Sequence, residues 1–148
     1  MTSVHVKIGE IFVGSERDVM TLNLGTDLGL VFVWKKKKLW GVAHCLLPES
    51  PTGLQIISGR FVSQAVPSMI EVMNLTQETI HEIEVHVIGA GGDIKNSVAR
   101  KNIEAAERYL ETFGFRITSV DVGGEYSRYV VVDCAGETVH VVKLDQVV

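Results

Sequence analysis

The sequence predicts an α+β fold, on three observations: apolar, β-branched runs of strand length, two segments with helical apolar spacing, and glycine-rich turns between them. Residues 19–24 and 28–34 are apolar enough to read as strands buried on both faces, with Gly25, Thr26 and Asp27 as the loop between them. Lys35 to Lys38, flanked by Trp34 and by Leu39 and Trp40, reads as a solvated hairpin tip that returns into a strand carrying His44. Pro48-Glu-Ser-Pro-Thr-Gly53 opens the longest irregular stretch. Phe61, Ala65, Val66, Met69, Ile70 and Met73 then follow helical spacing, with Ser63 as the expected cap and Pro67 expected in or near the first turn. In 82–88, Ile83, Val85 and Val87 alternate with Glu82, Glu84 and His86, which predicts a half-exposed strand. Gly89-Ala-Gly-Gly92 turns the chain toward a helix over 97–113, whose stripe of Ala99, Ile103, Ala106, Leu110 and Phe113 ends at Gly114. Three more strands are expected near 115–121, 128–134 and 138–144, the last two joined at Ala135-Gly136-Glu137.

Composition bounds the function. A chain of 148 residues fits one domain, here 1–148, and such a domain buries roughly two thirds of the surface its unfolded chain exposes. A net charge of −4 argues against a general nucleic-acid binder, and the lysine run reads as an exposed turn. No apolar run approaches the ~20 residues of a membrane span, and the first residues lack the pattern of a secretory signal, so no membrane insertion and a cytoplasmic location are expected. Two cysteines without a CxxC, and five histidines without ligand spacing, predict neither a disulfide framework nor a metal site. No cofactor is expected either: the glycine run 89–92 lacks the spacing of a phosphate loop.

Two blocks carry chemistry. Thr21-Leu-Asn-Leu-Gly-Thr-Asp27 is followed by Gly41-Val-Ala-His44-Cys-Leu-Leu-Pro48, and together they resemble the signature of the CheD family, the chemoreceptor glutamine deamidases of bacterial chemotaxis. Phe61-x-x-x-Ala65-Val-Pro67 and Asp121-Val-Gly-Gly124-x-x-x-Arg128 extend the resemblance over nearly the whole chain. It departs from the family pattern at Asn23, at Asp27 and through residues 90–101; Asp27 is read as an engineered inactivation or as the mark of a divergent member, and the departures elsewhere favour divergence.

The resemblance implies a sandwich-like arrangement of the mixed sheet core, with the two main helices packed on the outside. It implies a catalytic site at Asp27, His44 and Thr21: Asp27 in the slot of the nucleophilic cysteine, His44 as the histidine, Thr21 as the residue that orients or assists it. It also implies chemoreceptors and a CheC-like phosphatase as partners. Deamidating glutamine needs a nucleophile, a proton donor for departing ammonia and donors for the oxyanion. A cysteine beside a histidine meets the first two needs. An aspartate hydrogen-bonded to His44 favours imidazolium instead, which is an ion pair and not an activated nucleophile. The chain is therefore expected to lack deamidase activity as it stands, with a catalytically silent binding module as the alternative reading. Cys45 neighbours His44 along a strand, so its side chain is expected on the opposite face, and Cys134 is expected as an apolar filler.

Overall fold

A computed structural model describes residues 2–51, 56–92, 95 and 97–145; the tail of the irregular stretch after Pro51 lies outside the described residues. The elements are β1 (Thr2–His5), β2 (Ile11–Ser15), β3 (Asp18–Leu24), β4 (Leu28–Trp34), β5 (Leu39–Cys45), α1 (Val62–Val72), β6 (Glu84–Gly89), α2 (Ser97–Thr112), β7 (Ile117–Val122), β8 (Ser127–Asp133) and β9 (Thr138–Leu144). The strands form two sheets, one in the order β1-β3-β8-β9 and the other β2-β5-β4-β6-β7. Both are mixed: β1 runs parallel to β3 and β6 parallel to β7, while the other pairs are antiparallel. This is the α+β, sandwich-like arrangement expected.

Two apolar layers hold it together. Met20, Leu22, Leu24, Val31, Val33, Trp40, Val42, Ile88, Val130 and Val132 fill the space between the sheets. Leu30, Phe32, Ala43, Val66, Met69, Ala106 and Leu110 pack the helices onto the other face of the five-stranded sheet. The layer order explains β4, whose seven residues are all buried because it is central in a sheet covered on both sides. The same order corrects the expectation for β3. Among the described residues no helix covers the outer face of its sheet, so Val19 and Thr21 are half-buried and Asn23 is exposed, while Met20, Leu22 and Leu24 face inward.

Gly41 has a packing reason. A Cβ there would sit 2.3 Å from the Met69 methyl and 2.7 Å from the Met73 sulfur, so the missing side chain lets α1 settle onto β5. Two details of α1 differ from the sequence expectation. Phe61 and not Ser63 stands at the N-cap, without a side-chain hydrogen bond, and the Ser63 hydroxyl instead accepts the Ser50 amide at 2.9 Å. Pro67 lies in mid-helix. Packing of Ala65, Val66 and Met69 against the sheet outweighs the local cost of a proline there. The lysine turn is matched by glutamates, with Lys35 bound to Glu84, Lys36 to Glu82 and Lys38 to Glu16 at 3.2–3.4 Å.

A candidate site built on Asp27 and His44

Strand pairing brings the two chemistry-bearing blocks together. In the β4–β5 register Leu28 lies opposite Cys45 and Gly29 opposite His44, so Asp27, one residue before β4, meets the end of β5. His44 and Asp27 are both buried, at 3% and 7% exposure, and the Asp27 Oδ2 atom is directly hydrogen-bonded to His44 Nε2. The other carboxylate oxygen accepts the Gly25 amide at 2.5 Å. On the far side of the ring, His44 Nδ1 lies 3.0 Å from the Val6 carbonyl oxygen.

That carbonyl fixes the proton inventory. A carbonyl oxygen only accepts, so Nδ1 carries a hydrogen, and Nε2 faces a carboxylate oxygen that also only accepts. The arrangement is satisfied when both ring nitrogens are protonated. Burial alone pulls the His44 pKa down, but the Asp27 hydrogen bond, the Val6 carbonyl and the charges of Asp27 and Glu10 outweigh it, so the net shift is upward from 6.5. The sign for stability follows. A raised folded-state pKa contributes stability that is complete below pH 6.5 and is lost as pH rises through the raised value. An NMR titration of the His44 ring should place its midpoint above 6.5; a midpoint at or below that value would remove the ion pair from the account.

Thr21 stands apart from the Asp27–His44 pair. Its hydroxyl pairs with His5 Nδ1 at 2.8 Å on the uncovered face of the four-stranded sheet, and both His44 ring nitrogens are engaged by other groups. Thr21 reaches His44 only through backbone: its carbonyl accepts the Val6 amide at 2.8 Å, and the Val6 carbonyl holds His44. The physical reason is the alternation of β3, which sends the Thr21 side chain outward while Met20 and Leu22 point toward the core. Sequence reasoning missed Val6 because a backbone acceptor leaves no residue-type signature; His5 was visible only as a lone histidine.

The loop holding Asp27 is fastened by backbone. Ala90 donates its amide to the Asp27 carbonyl at 2.8 Å, Gly91 to the Gly25 carbonyl at 2.9 Å and Gly92 to the Gly124 carbonyl at 2.8 Å. These amides are therefore spent inside the protein and form no open anion cradle. Behind them Arg128, 2% exposed, binds Asp121 and donates to the carbonyl oxygens of Gly89 and Gly123 at 3.4 and 2.7 Å. This gives the Asp121…Arg128 block a structural purpose. Gly89 sits at φ +111°, and a Cβ there would lie 2.5 Å from the Asp27 carbonyl oxygen. Gly89→Ala should cost at least about 2 kcal/mol in urea unfolding, because it combines a strained backbone with a clash that no rotamer relieves. A loss under about 0.5 kcal/mol would show that the loop is not so held.

Both cysteines are free and buried. Cys45 points to the helix side of its sheet, is fully buried, and has its thiol pKa pushed up by burial and by the charge of Asp27. Cys134 packs between the sheets, and burial with the Asp18 and Asp133 charges raises its thiol to about 12. Among the described residues no group of three or more His, Cys, Asp or Glu side chains is arranged to hold a metal ion, and no helix is long and apolar enough to cross a membrane.

Comparison with known proteins meets this geometry from the other direction. A family model described as CheD chemotactic sensory transduction matches residues 46–143, beginning two positions after His44. The chain is 38% identical over 128 residues to a protein of Bdellovibrio bacteriovorus named "Probable chemoreceptor glutamine deamidase CheD", with 82% of each chain covered. It is 31% identical over 149 residues to a protein of the same name from Methanococcus vannielii, with 97% of each chain covered.

Proposed function

Because the chain belongs to the CheD family, we propose that it is a chemotaxis protein that engages chemoreceptors of the kind its relatives are named for, without hydrolysing their glutamines. One observation supports the reading: the Asp27 carboxylate, at the position the sequence resemblance assigns to the nucleophile, already holds both the His44 Nε2 proton and the Gly25 amide. Each group that amide hydrolysis would call on is thereby committed. A carboxylate is a poor nucleophile toward an unactivated carboxamide, a doubly protonated His44 has no lone pair with which to accept a proton, and the Gly25 N–H is not free for an oxyanion.

The test pairs two measurements on one receptor cytoplasmic fragment. Mass spectrometry after prolonged incubation should find no glutamine converted to glutamate. Calorimetry or a pull-down should find the fragment bound. Conversion at a defined glutamine that disappears in His44→Ala would establish a working deamidase, and absence of any binding would remove the receptor from the account. Docking to a CheC-like phosphatase, which the sequence resemblance implies, belongs to the same proposal and is read by calorimetry with the phosphatase in place of the receptor fragment.

A further inference from the structure

On the side away from the helices, the two sheets part at their edge strands β7 and β9 and leave a cleft of about 460 Å³. Its floor is apolar, made by Trp40, Ile88, Val139 and Val141. Two polar side chains meet in it: the Ser119 hydroxyl lies 2.6 Å from His86 Nδ1.

The meeting depends on a β-bulge. Val85 pairs with Ile117, but His86 pairs with Ser119, so Thr118 is the extra residue, and its hydroxyl accepts the Val85 amide at 3.1 Å. Without the bulge Thr118 would oppose His86 and Ser119 would fall out of reach. His86 is half-buried, and burial, with the Lys35 charge, holds its pKa below the usual histidine value against the opposing charge of Glu84. Near neutral pH the ring is thus uncharged, and its Nδ1 lone pair can accept the serine proton. Lys35, bound to Glu84 at 3.2 Å, lines the same cleft with Asp121 and Glu137, and Ser119 is exposed at its mouth.

We propose that this cleft is a second reactive centre, in which His86 activates Ser119 for acyl transfer from small carboxylic esters with short aliphatic acyl groups. The Ser119 oxygen attacks the ester carbonyl carbon while its proton passes to His86 Nδ1. The tetrahedral adduct then collapses, the carbon–oxygen bond to the alcohol breaks, and the same proton leaves with the alcohol. Water, giving one proton to His86, attacks the acyl-serine; the bond to the Ser119 oxygen breaks, His86 returns that proton to Ser119, and the carboxylic acid released loses its own proton to solvent. No oxidant, metal or cofactor enters the balance. The apolar floor accommodates the acyl chain. None of these groups belongs to the Asp27–His44 site.

The experiment uses the full chain with p-nitrophenyl butyrate and with a fluorophosphonate probe. The expected result is one covalent phosphonate on the peptide containing Ser119, absent in Ser119→Ala, with the labelling rate reduced about a hundredfold in His86→Gln, the lower range for loss of a positioned base. No adduct at Ser119, or full-rate labelling in His86→Gln, overturns the proposal. Should Ser119→Ala fail to fold, Ser119→Cys provides the second reading. Its thiol should react with iodoacetamide faster than cysteine thiols of the denatured chain at the same pH, and an equal or slower rate overturns the proposal as firmly.

Discussion

His44→Ala should destabilise the protein by about 3–5 kcal/mol, the cost of leaving one partner of a buried ion pair uncompensated. The carboxylate it strands is 7% exposed and keeps only the Gly25 amide. Asp27→Ala should cost less, about 1–3 kcal/mol. The two partners differ in what they can do when abandoned. His44 can release its Nε2 proton and remain bound to Val6 through Nδ1, whereas the Asp27 carboxylate has no comparable acceptor-to-donor change short of taking up a proton. Urea unfolding at pH 6 and pH 9 tests both the size and the ordering. The wild-type advantage over His44→Ala should shrink at the higher pH, since the pair is complete only while His44 is charged. Equal costs for the two substitutions would mean that the pair does not behave as a charged, buried unit.

On the proposed reading, Asp27→Cys should confer deamidase activity on the chain. The substitution does three things together at the geometry described: it places a thiol beside His44 Nε2, frees the Gly25 amide for an oxyanion, and leaves Val6 holding the ring in the tautomer that presents Nε2 to the thiol. Receptor glutamine should then be converted to glutamate, and adding His44→Ala to Asp27→Cys should lower the rate at least about a hundredfold. Thiol alkylation gives an independent measure with little background, because Cys45 and Cys134 are buried with raised pKa values. An introduced thiol no more reactive than those two would show that His44 does not activate the slot. Reactivity without deamidation would direct attention to Asn23 and residues 90–101, where the sequence resemblance is weakest; a displacement of about 1 Å can cost about a hundredfold.

What could be read from the sequence follows physical range. Contacts encoded by side-chain type and short spacing were legible: the buried run of β4, the stripe of α2, and the meeting of Asp27 with His44 across paired strands. Groups that act through backbone or through distant elements were not. The Val6 carbonyl that fixes the His44 tautomer looks like any other residue in a sequence. Pro67 is placed in mid-helix by packing that no local propensity announces. Thr21 meets His5 on the outer face of its strand, a placement that depends on which sheet the helices cover.

The hydrogen bonds from Ala90 and Gly91 to the carbonyls of Asp27 and Gly25 involve no atom of the residue-27 side chain. The position is a socket whose shape is set from behind, whatever occupies it. A saturation library at residue 27 should therefore yield mostly folded proteins that differ in reactivity, so that functional scores there report chemistry, while the same library at Gly89 reports folding.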